Sequence, residues 1–429
     1  MASKKISVEH AWKILFAAHD IVSKVSQSGS FRISAAEINI YKEARLMAKF
    51  DQSSLLPEIF QQNNLSILPV ARGEYIIGPY STHTKVEYPA VRPSLVEIPD
   101  LQTLDHTNLY SEASALLFAY NSGIIGDILG ESNLAFTVNG RMTSGNFDYF
   151  IENKQCPNIT TKISVQNAQI EIDAGYEGRD VFCLCEAKNM ATEEMLIRQL
   201  YYPYRLWSKK ILKPVIPIFL VFSNDVFHIF VYKFEKLENY NSINLLQHKA
   251  YTFADEDISF QEVIELWKNI CVITEQDGVF PQADSFERIV DLLSVLFEES
   301  LTRNEVTLKY EFDPRQTNYY ISACEYLGLV ERLNNANGEG KYRLTSDARF
   351  IMGQRYKPKH LSLIKKILER PIFCKVFGLM VKSSVIPDKN TICQIMDESN
   401  LSLSQNTKER RSSTVRAWLD WIVRLTVSG

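Results

Sequence analysis

The segment from Ile170 to Asn189, IEIDAGYEGRDVFCLCEAKN, holds the residues best suited to chemistry. A hairpin turning at Arg179 and Asp180 pairs Gly178 with Val181, and antiparallel register then sets Asp173 directly opposite Glu186. Opposed residues share a face, and Lys188, two positions beyond Glu186, shares it too. Three charged side chains thus converge at the end of a strand whose preceding residues, 181–185, are apolar. Two carboxylates about 4 Å apart repel by about 4 kcal/mol at an effective dielectric of about 20. A lysine offsets part of this and a divalent cation offsets more. Oxygen ligands favour Mg²⁺, which keeps several waters and accepts phosphate oxygens. A water held there and oriented by Lys188 is suited to attack on a phosphodiester. The alternative is a strand-end salt-bridge cluster, because Glu-x-Lys alone is a common pattern. Glu171 competes with Asp173: the register puts it on the same face, one row deeper and opposite Lys188.

The elements that must position these groups run from 105 to about 250. A helix over 109–129 precedes strands at 147–151, 168–177 and 181–187. A helical stretch over 192–210 follows, which Pro203 should kink or split near 199–202, and then apolar strands at 215–222 and 226–232. Helix, three strands, helix, two strands implies an α/β (α+β) core, a mixed sheet flanked by helices.

Asp173 followed after thirteen positions by Glu186-Ala187-Lys188 resembles the PD-(D/E)XK nuclease superfamily, which includes most type II restriction endonucleases and the archaeal Holliday-junction resolvases. The resemblance covers about a third of the chain. It implies a restriction-endonuclease-like core with Asp173 and Glu186 as metal ligands and Lys188 as the residue that positions water. It further implies the Ala187 carbonyl as an additional ligand, Glu112 as an acidic residue on the first core helix, and Gln199 as a polar residue on the next helix. Ile172 stands where many members carry proline, a position dispensable in the family.

Winged helix-turn-helix patterns flank this core. In residues 1–100 apolar positions recur at Ala11, Ile14, Leu15, Ala18, Ile21, Val22 and Val25, and Ser34 with Glu37 reads as a capping box. A third helical stretch over 41–50 and a hairpin over 67–77 follow, then an extended proline-punctuated linker at 88–99. Residues 284–355 repeat the order with helices at 286–297, 304–309 and 314–327, a Gly-rich tip at 334–341 and a strand at 342–344. The third helix of such a unit enters the major groove, which makes Arg315, Gln316, Asn318 and Tyr319 candidate base readers. Lys341 and Arg343 would meet phosphates. Residues 356–429 carry a weaker, winged-helix-like and basic version. Its last helix has a core stripe of Val415, Trp418, Leu419, Ile422 and Leu425, with Arg410, Arg411, Ser412 and Thr414 opposite. Asn406, Lys408, Arg410, Arg411 and Arg416 form its candidate DNA-binding face. The segment between Gly140 and Gly145 either cradles a phosphate with its amides and Arg141 or is a turn.

Charge supports a polyanionic partner. The net charge of −4 hides 17 Lys and Arg against 7 Asp and Glu from Lys341 onward, on an acidic body. Composition is globular, at 45% hydrophobic and 23% charged, with no apolar run near the ~20 residues a bilayer needs and no signal-peptide pattern. Seven scattered cysteines suit reduced thiols in the cytoplasm, with Cys183 and Cys185 buried. No zinc spacing and no phosphate-binding loop is present, so no nucleotide cofactor is expected. The expectation is a cytoplasmic, Mg²⁺-dependent type II restriction endonuclease acting on double-stranded DNA. A homodimer and a cognate DNA methyltransferase as genetic partner follow by family analogy, with no membrane association. The alternatives are a structure-specific repair or recombination nuclease and a non-catalytic DNA-binding regulator with a degenerate core.

Overall fold

The computed structural model describes residues 6–89, 91–253, 256–274, 280–309, 314–333, 340–399 and 403–427. The chain is a mixed α+β protein with several sheets. Among the described residues no helix is long and apolar enough to cross a membrane.

The first unit runs α1 (Val8–His19), α2 (Ile21–Ser28), β1 (Phe31–Ser34), α3 (Ala35–Asn39), α4 (Ala44–Ala48), α5 (Glu58–Gln62), β2 (Ser66–Ala71) and β3 (Glu74–Gly78). The single apolar period over 11–25 breaks at Asp20, whose left-handed φ of 49° ends α1 and starts α2. Ser34 and Glu37 form the expected reciprocal capping box. The helix expected over 41–50 is confined to α4. The expected hairpin is β2–β3, and β1 joins it by pairing with β3. Trp12, Phe16 and Phe60 meet edge to face in its core, where the Trp12 indole N–H donates to the Met47 carbonyl at 2.8 Å.

Next come β4 (His83–Lys85), β5 (Ser94–Leu95), α6 (Glu112–Asn121), α7 (Ile124–Leu129), β6 (Ala135–Thr143), β7 (Asn146–Glu152), β8 (Thr160–Gln166), β9 (Gln169–Glu177) and β10 (Phe182–Lys188). They are followed by β11 (Glu194–Leu196), α8 (Arg198–Lys210), β12 (Val215–Ser223), β13 (Val226–Phe234) and β14 (Ile243–Thr252). Seven strands form one sheet in the order β5-β14-β13-β12-β10-β9-β6. Here β6, β9 and β10 are antiparallel neighbours, while β12 lies parallel to β10 across the α8 connection. Buried on both faces, β10 alternates: Phe182 and Leu184 pack toward α8, while Cys183, Cys185 and Ala187 pack toward α6 and α7.

Several sequence expectations need correction. The strand at 147–151 is β7, which belongs to a second sheet, β1-β3-β2-β8-β7, shared with the first unit. The first strand of the core is β6, an edge strand exposed along much of its length and therefore without an apolar pattern. The helix over 109–129 divides at Gly123 (φ 80°). The stretch over 192–210 begins as a strand, β11 paired with β4, before α8. Pro203 lies within α8 without splitting it. The linker at 88–99 contributes β5 to the sheet edge.

The rest of the chain runs β15 (Ile258–Ser259), α9 (Phe260–Lys268), α10 (Phe286–Glu298), β16 (Leu301–Thr302), α11 (Arg303–Lys309), α12 (Pro314–Tyr326), β17 (Val330–Leu333), β18 (Lys341–Leu344), α13 (Ser346–Met352), α14 (Tyr356–Leu368), α15 (Pro371–Ser383), α16 (Lys389–Glu398), α17 (Gln405–Leu425) and β19 (Thr426–Val427). Helices α10 to α12 and the sheet β16-β18-β17 keep the expected order. The Gly-rich tip at 334–339 lies outside the described residues. The final segment departs from expectation: α14 to α17 are helices with no hairpin among the described residues. One continuous hydrophobic core joins it to α10–α13, with Trp418 wedged between Phe286 and Phe373.

Candidate active site

The β9–β10 hairpin adopts the register read from the sequence. Phe182 pairs with Glu177 and Cys185 with Ala174, and the Gly178 N–H donates to the Val181 carbonyl at 2.9 Å. One more step would pair Asp173 with Glu186, but the ladder stops there. A register irregularity in β9 lies between Ile172 and Gly175. On either side of it the strand buries opposite faces: Ile170 and Ile172 pack toward α8, Ala174 and Tyr176 toward α6 and α7. Such a bulge re-aims the side chain at its centre. Asp173 consequently reaches β10 with its side chain, and its Oδ2 accepts the Ala187 N–H at 2.8 Å.

The same irregularity removes Glu171 from the cluster. It lies exposed and ion-paired with Arg141 at 3.2 Å, not opposite Lys188. Gly140 to Thr143 complete β6, and Ser144 and Gly145 carry the chain on into β7, the Ser144 N–H donating to the Ala168 carbonyl at 2.8 Å and the Gly145 carbonyl accepting the Asn167 N–H at 3.0 Å. The segment is a strand and its continuation rather than an open loop, with Arg141 on its exposed side.

Lys188 ends β10 with its side chain 12% exposed and gathers acids around its ammonium. Nζ lies 3.2 Å from Glu186 Oε1, 3.5 Å from Asp51 Oδ2 and 3.7 Å from Glu112 Oε1. Glu112 is the first residue of α6, whose N-terminus Ser111 caps. Gln199, in the first turn of α8, donates its Nε2–H to the same Glu186 oxygen. Four of the five expected site side chains, Glu112, Glu186, Lys188 and Gln199, are joined by direct contacts, and Asp173 is tied to them through the Ala187 amide.

Burial dominates the electrostatics. Loss of hydration pushes the Glu186 carboxyl up to about 7, against the pull of the Lys188 ammonium. It also raises Asp173, opposed by the Ala187 N–H, and Glu112, opposed by Lys188. Although the Glu112 side chain is 41% exposed by area, the surrounding protein excludes enough water to raise its carboxyl above the usual carboxylate range. Among the described residues no group of three or more His, Cys, Asp or Glu is drawn together as a ready metal cage. Lys188 occupies the space between the acids. The donors themselves, the Asp173 and Glu186 carboxylates with the Ala187 carbonyl, are hard oxygens of the kind a divalent cation such as Mg²⁺ takes.

Asp51 was not legible in the sequence. It is 7% exposed and lies 137 residues from Lys188 in the chain, with Lys49 Nζ 3.5 Å from the same Oδ2. No spacing rule links two residues brought together only by docking of separate units.

The DNA-facing candidates divide. Arg315, Gln316, Asn318 and Tyr319 lie exposed on α12, which Thr317 and Tyr320 anchor to the core. Arg343 is exposed and paired with Glu331 at 2.7 Å, and the Lys341 ammonium donates to the Ser300 carbonyl at 3.3 Å. Asn406 and Arg410 are exposed on α17. The remaining α17 candidates do not form a solvated basic face. Arg411 is buried and donates to Gln282 Oε1 at 2.5 Å, Arg416 donates to the Ile386 and Pro387 carbonyls, and Lys408 is paired with Asp397. Ser412 and Thr414, expected opposite the core stripe, are buried as well. The cause is the position of α17, which packs against α10, α15 and α16 and so is covered on more than one side.

The chain is thus a mixed α+β protein with a buried carboxylate–lysine cluster at the end of a central strand. Three family models match it: Domain of unknown function (DUF6996) over residues 9–77, Domain of unknown function (DUF6997) over 78–252, and Domain of unknown function (DUF7226) over 288–427. The second contains the whole carboxylate–lysine cluster except Asp51, which falls in the first. The third runs across both C-terminal segments that the sequence patterns separate. No curated protein and no solved structure matches the chain.

Proposed function

We propose that the chain is a Mg²⁺-dependent endodeoxyribonuclease with a PD-(D/E)XK core, a type II restriction endonuclease whose winged-helix units read double-stranded DNA. The observation that carries this reading is the Lys188 ammonium 3.2 Å from the buried Glu186 carboxylate, with Asp173 bonded to the intervening Ala187 amide. The order of helix, three antiparallel strands, helix and parallel strand supports it, as does the exposed polar face of α12.

In this reading Asp173, Glu186 and the Ala187 carbonyl would hold a Mg²⁺ ion, which would supply charge stabilisation at the scissile phosphate and a more acidic water. Lys188 orients that water with an N–H bond, and its positive charge offsets charge developing on the phosphate. Gln199 fixes the Glu186 carboxylate from α8. Arg315, Gln316, Asn318 and Tyr319 approach base edges, with Lys341, Arg343, Asn406 and Arg410 near the backbone. Cutting both strands calls for a second copy, and a companion methyltransferase would protect the host sequence.

The test is digestion of a sequenced supercoiled plasmid with Mg²⁺, followed by end mapping. Cutting at defined sites is expected. Lys188→Ala and Glu186→Gln should each slow it by at least roughly a hundredfold while duplex binding persists. Wild-type cleavage by either variant would overturn the assignment.

A further inference from the structure

We propose, resting on the nuclease reading above, that Asp51, supplied by the N-terminal unit, is a positioning residue for Lys188, so that the site is incomplete without that unit. Three observations support this.

The segment carrying Asp51 is fixed by its neighbours. The Phe50 carbonyl accepts from His83 Nε2 at 2.9 Å, which makes Nε2 the protonated nitrogen and leaves Nδ1 to accept from the Thr82 hydroxyl. The Gln52 amide donates to Thr192 Oγ1 at 3.0 Å. The Ser53 N–H and hydroxyl both donate to Glu194 Oε1, at 2.7 and 2.6 Å. These anchors hold the loop against the segment that follows β10 without using the Asp51 carboxylate.

That carboxylate is buried, and its Oδ2 is shared by two ammonium groups, Lys49 and Lys188, each at 3.5 Å. A buried carboxylate needs such partners, and the exposed Lys49 supplies charge without competing for the interior. A docking contact that needed only cohesion would be served by apolar residues.

The third observation is the division of labour around Lys188. Its nearest acid, Glu186, is also a proposed cation ligand, and a cation there competes for the charge that holds the ammonium. Asp51, 3.5 Å from the amine and carried on a separate element, is not among the proposed cation ligands and remains as counter-ion. Lys188 then keeps its place beside the reacting water.

The experiment uses the full chain with Asp51→Asn and Asp51→Glu. Two readouts are taken: plasmid cleavage with Mg²⁺, resolved into kcat and KM, and acylation of Lys188 by an amine-reactive ester without metal, followed by mass spectrometry. Asp51→Asn is expected to lower kcat by roughly tenfold to a hundredfold, with KM within about twofold, and to speed Lys188 acylation severalfold. Asp51→Glu, which keeps the charge, should recover most of the protection and part of the rate. If Lys188 acylates equally fast in wild type and Asp51→Asn, or kcat is unchanged where wild type cuts, the proposal is overturned. If wild type never cuts but Asp51→Asn exposes Lys188 and Asp51→Glu does not, the nuclease reading fails and the positioning contact stands. Should Asp51→Asn fail to fold, Asp51→Glu decides: Lys188 acylating as fast as a surface lysine would overturn the proposal.

Discussion

Asp291 offers a measurement of how the C-terminal body is attached to the core. It sits on α10 at 2% exposure. The Ser223 hydroxyl meets its two oxygens at 2.9 and 3.0 Å, and the Ala191 N–H donates at 3.2 Å. Burial outweighs these bonds and pushes the carboxyl from 3.8 up to about 7. Between those values the folded chain keeps a proton that the unfolded chain has lost, so stability from this group falls as pH rises and is gone above about 7. Each pH unit in that window is worth about 1.36 kcal/mol, so moving from about pH 5 to about pH 8 removes roughly 2.7 kcal/mol. Asp291→Asn stays neutral throughout and keeps an oxygen for the Ala191 N–H. Urea unfolding, followed by fluorescence of Trp418 and Trp421 beside Phe286 on the same helix, reads the difference. Relative to wild type, the variant should gain up to about 2.7 kcal/mol between the two pH values. Comparing the two proteins cancels the other titrating groups. Parallel pH profiles within about 0.5 kcal/mol would refute the argument, and a variant losing stability at high pH would show that Asp291 is favoured as an anion.

Three further outcomes are expected. Lys359→Met should strand the buried Asp225 carboxylate, now 2.6 Å from the ammonium, and cost roughly 3–5 kcal/mol in denaturant unfolding. Trp418→Ala removes a fully buried ring and its N–H bond to the Ala283 carbonyl at 2.8 Å, for a loss of about 3–5 kcal/mol by the same assay. Arg315→Ala and Arg411→Ala should separate recognition from folding. Mobility shifts should show binding weaker by about 1–3 kcal/mol for the first, as loss of one base contact requires, whereas loss of the buried Arg411 should lower stability in denaturant unfolding.

What could be read from the sequence follows the reach of local rules. The β9–β10 register came from a tight turn and strict alternation, both local, and it held as far as Cys185 and Ala174. It failed at Asp173, because a bulge depends on the neighbouring strand β6 and leaves no mark in the alternation of β9 itself. Strand β6 was missed because an exposed edge strand has no apolar period to display. The order from α10 to β18 was legible from apolar stripes, even though α10 buries every residue from Ile289 to Leu296. On α17 the same stripe rule misled, because a helix packed on several sides buries Arg411, Ser412 and Thr414 along with its apolar residues. Asp51 had no sequence signal, since only the docking of two units brings it to Lys188.

That docking converges on one short stretch, residues 189–194, between β10 and α8. From the N-terminal side Gln52 grips Thr192 and Ser53 grips Glu194, while the Tyr88 hydroxyl donates to the Thr192 carbonyl at 3.0 Å. From the C-terminal side Asp291 holds the Ala191 amide and Arg288 pairs with Glu193 at 2.7 Å. The Asn189 amide donates to the Tyr110 carbonyl at 2.5 Å, and the Tyr110 hydroxyl in turn bonds the Met352 carbonyl at 2.7 Å. Lys188 immediately precedes this stretch, and Gln199 follows it in the first turn of α8. A shift of either flanking unit therefore acts on the two side chains that contact Glu186 through these hydrogen bonds, joined on the C-terminal side by the packing of Met190 and Tyr110 into the apolar core. In a nuclease this would let engagement of DNA by the outer units adjust the catalytic amine without rebuilding the sheet that carries it.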